Sequence, residues 1–316
     1  MTSFLQRSYD FNEDFNKNIC SHLSLYKLRD WINVKNLKLH CLAGNPNANA
    51  IPLLEKNLDE KLDEILWVWL SLNSNEIHIL EQNINKVGWS YLSMNLNAVN
   101  ILEKNLDKVD WYCVSLNPNA IPLLEKNWNK IDWIALSCNP NAIHILEKYL
   151  DKVNWIGLSC NPNAIHILEQ NVDKIVWTRL SENPNAVHLL EQNPDKIDWN
   201  NLSLNPNAIH LLEQNIDKIN WRYLSKNPNA IHLLEQNLDK VCWIRLSENP
   251  NAIDILKQNI DKVCWYYLSL NTNIFELDYG FLKRRMNIIR EELMMKAWHP
   301  MRVMKWIEEG VDMEDL

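Results

Sequence analysis

The sequence predicts an all-α protein, an α-solenoid of about ten 22-residue two-helix repeats with helical N- and C-terminal caps. Three observations predict it. Trp recurs at positions 67, 89, 111, 133, 155, 177, 199, 221, 243 and 265, always 22 residues apart. The 316 residues contain 5 Gly but 45 Asn, so Asn, which caps helices and tolerates turns, takes over the work of Gly. Two Pro residues stand at repeat positions that only a first helical turn accepts. A chain of this length would ordinarily suggest two globular domains. The unbroken period replaces that expectation with one continuous array.

The chain divides in three. Residues 1–44 form an N-terminal segment and cap with a half repeat: Leu23 to Ile32 is expected as a cap helix, and Val34 to Gly44 matches the second half of a unit, with Leu39 in the Trp place. Residues 1–20 show no pattern. Residues 45–270 are the array. Its first unit, Asn45 to Leu72, carries extra residues around Ala48 and Glu60, and nine regular units follow from Asn73. Residues 271–316 form a helical cap and acidic tail. Asn271-Thr272-Asn273-Ile274 begins another unit and then diverges. Leu282, Met286, Ile289 and Leu293 mark a long amphipathic helix from Leu277 to Trp298. His299-Pro300 stops it, a second helix runs from Met301 to Glu309, and Gly310 suits its C-cap.

Within a unit, Pro122 at the sixth position places the start of the first helix, with Asn119 as N-cap and Ala120 as first residue. Pro194 at the twelfth position suits the first residue of a second helix capped by Asn193. Two helices of roughly 7 and 9 residues follow, the second opening on a tighter turn. Such helices are unstable alone, so stacking must hold them. In the unit Asn205 to Lys226 the apolar set facing neighbours is Ile209, Leu212, Ile216, Ile219, Trp221 and Leu224, and Asn207, His210 and Gln214 form a polar stripe. Stacking at ~9 Å per helical layer predicts a linear array on the order of 90 Å long.

The Trp ladder reads as core rather than as a platform for bases. The His ladder, His78, His144, His166, His188, His210 and His232, reads as a solvated face, because equivalents ~9 Å apart cannot share one metal ion. The Glu and Lys ladders are expected to pair with each other, each pair contributing ~0–1 kcal/mol. Of the seven Cys, Cys138 and Cys160 match one unit apart, as do Cys242 and Cys264. The layer spacing puts both pairs beyond the ~7 Å Cα separation of a disulfide, so buried or half-buried thiols are expected.

The net charge of −8 makes nucleic acid an unlikely partner, since phosphate binding needs a clustered basic surface. The N-terminus has no apolar run, so secretion is not expected, and no stretch approaches the ~18 apolar residues of a membrane span. No motif of a phosphate loop, nucleophile elbow or zinc site appears, so no catalytic, cofactor or metal residues are expected and the chain reads as a non-enzyme.

Binding faces on repeat frames are built from the positions that vary. Here those are the two after Trp and the one before the next Asn. They are mainly apolar early in the array and polar later. The expected partner-binding face comprises Trp69, Tyr91, Met94, Tyr112, Ile134, Ile156, Arg179, Arg222, Tyr223 and Arg245, with docking of a protein or of a second copy weighed against simple completion of the core.

The unit Asn-Pro-Asn-Ala-Ile-His-Leu-Leu-Glu-x-Asn-x-Asp-Lys-Ile-x-Trp-x-x-Leu-Ser resembles the tandem repeats of proteins from giant DNA viruses of amoebae, of marseillevirus and mimivirus type. Glu291 to Arg302 is similar to the C-terminal end of such proteins, and the likeness covers about residues 35–310. It implies a viral protein in the cytoplasm of an infected cell, or packaged in the virion, that acts as an interaction scaffold or a self-associating structural protein. More distantly the unit resembles leucine-rich-repeat variants, whose repeat length differs.

Overall fold

The computed structural model describes residues 26–308, apart from 48, 51, 52, 54–63 and 76. It is an all-α solenoid, a regular series of short helices packed unit on unit. Two compact units divide the described residues: Asp30–Ile274 holds the array, and residues 26–29 associate with residues 275–308.

Each repeat has three parts rather than two. In the unit from Asn205, an α-helix Ile209–Glu213 is followed by a 3-10 turn Ile216–Lys218 and a second α-helix Trp221–Leu224. The expected nine-residue second helix breaks at Ile219 and Asn220, both extended. The cause lies in the preceding unit. Extension lets the Asn220 N–H reach the Ser203 hydroxyl at 3.0 Å, while that hydroxyl donates to the Trp199 carbonyl at 2.8 Å. A part-buried bond between units prevails over one more helical turn.

The Asn residues are linkers more than caps. Asn205 is buried and makes three hydrogen bonds: its amide donates to the carbonyls of Ser181 (3.1 Å) and Asn183 (2.8 Å), and its Oδ1 accepts from Asn207 N–H at 3.0 Å. Asn207 in turn donates to the Pro184 carbonyl at 2.9 Å. Third-position Asn therefore bonds the previous unit, and the first helix starts one residue later than expected, as at Ile121 with Ala120 before it. Eleventh-position Asn reaches backward, Asn215 to the Leu211 carbonyl at 2.9 Å, and so ends the first helix. Pro122 and Pro194 do stand in first turns.

The core of each unit is narrower than the apolar pattern suggested. Ala208, Leu212, Ile219 and Leu224 are buried, each large aliphatic contributing ~1.5–3 kcal/mol. Ile216 is 46% exposed. The Trp residues are mostly half-buried, with one face covered by a cation: Lys218 lies 4.4 Å from the Trp199 ring centroid and Lys240 4.9 Å from that of Trp221. Lys thus stacks on the Trp one unit back instead of pairing with Glu. Glu pairs with His of the next unit, as Glu191 with His210 at 2.8 Å and Glu147 with His166 at 2.7 Å.

The array closes on itself. Asn45, the first linker Asn, donates to the carbonyls of Ser269 (2.8 Å) and Asn271 (3.1 Å), at the far end of the array. Asn47 donates to Thr272 at 2.7 Å, and Lys38 N–H donates to the Ser269 hydroxyl at 2.9 Å. These are the same bonds that Asn205, Asn207 and Asn220 make inside the array. First-position Asn residues run from Asn45 to Asn73 and then every 22nd residue to Asn271; all are buried, and each donates to its predecessor, the predecessor of Asn45 being Asn271. The expectation of a linear array fails for this reason. Asn271–Ile274 and Val34–Gly44 supply the two ends of one composite unit, with Val34–Asn36 as its 3-10 turn and Leu39–Ala43 as its second helix.

Residues 26–28, expected in a helix, form strand β1 (Tyr26–Leu28) instead. It pairs antiparallel with β2 (Phe275–Leu277), Lys27 opposite Glu276. Lys27 and Arg29 both bind Glu276, at 3.6 and 3.4 Å. The C-terminal helices form at Tyr279–Ala297 and Pro300–Glu308. Met286 and Leu293 on the longer one are exposed rather than covering another element. The expected C-cap at Gly310 and acidic tail, and the sequence before Tyr26, lie outside the described residues.

Candidate binding face

The varying positions belong to the second helices, and their local chemistry fixes how they present. An Asp or Asn before Trp caps the helix: Asp132 Oδ1 accepts from Ala135 N–H at 2.9 Å, and Asn154 from Gly157 N–H at 2.9 Å. The cap starts the helix at Trp, so the residue after Trp stands outward and the next leans toward the neighbouring unit. From Leu39–Ala43 to Trp199–Leu202, second helices of adjacent units pack more closely than first helices do, which puts that row on the inner side of the closing curve.

The ten expected face residues therefore separate into three rows and do not converge on one point. Tyr112, Ile134, Ile156 and Arg222 follow Trp directly. Trp69, Tyr91, Arg179, Tyr223 and Arg245 come one later, and Met94 closes its unit. Ile134 is 58% exposed, Ile156 55% and Tyr112 50%; these three stand on consecutive second helices and form one apolar strip. Tyr91, Met94 and Tyr223 are exposed too, though less. Trp69 is half-buried against Gly44, where an added Cβ would lie 2.5 Å from the Trp69 ring. It packs the frame and leaves the face. Ala135 and Gly157, read as variable surface, are buried.

The later half of the face is polar but internally neutralised. Arg179 binds Glu182 at 2.8 Å, and Glu248 accepts from Lys226 at 3.1 Å and lies 3.8 Å from Arg245. Arg222 is exposed. Ile244, 53% exposed beside Arg245, belongs to the same row and was missed because its neighbours are charged. In the early half, Asp110 caps its helix at Cys113 N–H, 3.2 Å away. Burial opposes its charge, yet bonds from Ser90 and the Cys113 and Tyr112 backbone hold the carboxyl below its usual value. Burial, with Asp110 adding to it, pushes the Cys113 thiol up to about 11.

The first-helix side differs at one place. Tyr149 stands where every other unit has Asn, and Trp128 where the other regular units have an aliphatic residue or, once, Pro194. Their ring centroids lie 5.0 Å apart, with Trp133 5.7 Å from Tyr149. A cavity of about 480 Å³ adjoins them, lined also by Glu125, His144, Ile145 and Lys148. Lys152 covers Trp133 and Tyr149, at 4.9 and 5.3 Å from the ring centroids, so the cluster is largely occupied by the chain's own cation. The pairing of two unusual residues in successive units reads as one compensated exchange of a helix-ending Asn for ring packing.

Among the described residues no three His, Cys, Asp or Glu side chains converge as a metal site. None of the helices described is long and apolar enough to cross a membrane. Comparison with family models, curated proteins and solved structures matches the chain to none of them.

Proposed function

We propose that the chain is a non-enzymatic scaffold that binds another protein along its inner row of second helices. The observation that carries this reading is the apolar strip Tyr112–Ile134–Ile156, three exposed large side chains in register on a frame whose other positions are held constant. The internal ion pairs of the later half favour an apolar docking segment over a charged one, because Arg179 and Arg245 already have carboxylate partners. Completion of the core is the weaker reading for these three residues, since more than half of Ile134 and Ile156 faces solvent. The likeness of the unit to giant-virus repeats supports a protein of the infected-cell cytoplasm or the virion.

The test is the double substitution Ile134→Asp and Ile156→Asp, compared with wild type for co-purifying proteins from the producing cells and for thermal melting. A specific partner lost at unchanged melting supports the reading. A partner retained by the variant, or an unfolded variant, sinks it.

Self-association is the second reading, favoured by one observation. Met286, Ile289 and Leu293, spaced three and four apart on Tyr279–Ala297, are all exposed. A second copy would cover that stripe, and light scattering of the purified protein would show a dimer that Leu293→Asp returns to monomer.

A further inference from the structure

Cys138 and Cys160 close two consecutive second helices, Trp133–Cys138 and Trp155–Cys160. Generic layer spacing keeps such residues apart, but Gly157 changes the spacing. A Cβ added there would lie 3.1 Å from the Ile134 carbonyl oxygen, 3.1 Å from Ser137 Cβ and 2.9 Å from Cys138 Sγ. With no side chain at 157, the second helix presses onto the backbone of the first, and the Cys138 thiol fills the vacated place.

Both sulfurs consequently lie against Gly157. Cys160 Sγ also lies 3.1 Å from the Gly157 carbonyl oxygen, and Cys138 Sγ 3.8 Å from that of Ile134. The third unit adds a cation: Arg179 Nη2 is 3.9 Å from Cys160 Sγ, while Nη1 is held by Glu182 at 2.8 Å. Arg179 Nε is buried without a partner, so the guanidinium retains unused donor capacity beside the sulfur. Both thiols are half-exposed on the inner row, within reach of a small solute.

The charge states follow from these contacts. The hydrogen bond donated by Cys138, then the Arg179 charge, bring the Cys160 thiol down to about 6 against burial and Glu182. The same bond and burial push Cys138 up. The pair thus sets a thiol that is lowered beside one that is raised, an attacking sulfur with a resolving one.

We propose that Cys160 and Cys138 are a peroxide-reactive thiol pair that converts to an intramolecular disulfide linking two repeats. The Cys160 thiolate attacks one oxygen of hydrogen peroxide. The S–O bond forms, the O–O bond breaks, and the leaving hydroxide takes a proton from solvent, giving Cys160 sulfenic acid and water. Cys138 sulfur then attacks the Cys160 sulfur, the S–O bond breaks, and the departing hydroxide leaves as water with the Cys138 proton. Two thiols lose two electrons, and one peroxide is reduced to two waters. Arg179 is the positioning residue, holding the thiolate and facing the charge that leaves.

The full-length protein treated with hydrogen peroxide near pH 7 tests this, read by intact mass and peptide mapping. Formation of one disulfide lowers the mass by about 2 Da, in a peptide joining Cys138 to Cys160, and dithiothreitol reverses it. Cys138→Ser stops the reaction at a Cys160 sulfenic acid that dimedone traps, whereas Cys160→Ser leaves Cys138 reduced. Arg179→Gln slows the first step about tenfold and raises the pH midpoint of Cys160 alkylation by roughly one unit. Equal oxidation of Cys242 and Cys264 at the same rate, or independent oxidation of Cys138 and Cys160 without a bridge, would overturn the proposal. Because each Ser variant has its own trapped or reduced product, a folding defect, visible by circular dichroism, is distinguishable from a failed prediction.

Discussion

Two junctions of the array, one inside it and one at its seam, make the same hydrogen bonds from different sources. At the interior junction, Asn205 and Asn207 bind the unit immediately before them in the chain. At the seam, Asn45 and Asn47 bind residues more than 220 positions away. The stacking chemistry is not identical. Inside, Lys covers the Trp of the preceding unit, 4.4 Å from its centroid at Lys218 and Trp199. At the seam Trp265 meets Trp31 instead, with centroids 6.4 Å apart, and His40 meets Tyr266 at 5.7 Å. The linkers are kept where the junction must form, while the surrounding contacts are free to change. Linker Asn residues therefore define adjacency, and ring contacts tune it.

Substitution of the linkers sharpens this comparison most. Asn205→Ala removes three hydrogen bonds in a buried setting, takes their partner from the Ser181 carbonyl and the Asn207 N–H, and leaves the Asn183 carbonyl with the Ala186 N–H alone, a loss of about 3 kcal/mol. Asn45→Ala removes bonds of the same kind, to the buried Ser269 and Asn271 carbonyls and from the Asn47 N–H, so a similar loss of about 3 kcal/mol is expected. Hydrogen exchange separates the two. Exchange of the Lys38 and Asn47 N–H groups accelerates in Asn45→Ala while that of Asn207 does not, and Asn205→Ala shows the reverse. Equal acceleration everywhere in both variants would mean that the junctions are not independent units.

The ring contacts have smaller effects. Trp31→Ala loses an aromatic contact and part of the apolar cover of Trp265, about 1–2 kcal/mol. Lys218→Ala exposes one Trp face, about 0.5–1 kcal/mol at a half-exposed site. Chemical denaturation of both variants checks the order. A Lys218 effect larger than that of Trp31 would reverse the assignment of seam and interior.

The period made the solenoid legible, because every unit repeats the same buried Leu and the same Asn. The division of the second helix was not legible. It depends on Ser203 accepting the Asn220 N–H, a bond between units that no intra-unit capping rule contains. Closure left a trace that went unread: Val34–Gly44 and Asn271–Ile274 are complementary parts of one unit, and both Asn45 and Asn271 retain the linker residue. The Trp ladder misled because its aromatic bulk suggested core, whereas Lys one unit on supplies the cover. On the candidate face, Tyr112, Ile134 and Ile156 are where variability placed them. Trp69 is not, since Gly44 lets it lie against the frame. The Cys138–Cys160 contact escaped because a generic layer spacing ignores what Gly157 permits.

Closure is tested most directly by the distance between spin labels, introduced as unnatural amino acids, at Lys35 and Asp261. Both are exposed, and they hold the same place in the 3-10 turns of the two units that meet at the seam. Labels at Asp195 and Asp217, equivalent positions of consecutive interior units, provide the control. Closure predicts that the two distance distributions coincide. An open array, with its ends on the order of 90 Å apart for layers of ~9 Å, would put the Lys35–Asp261 pair tens of Å beyond the control and contradict it.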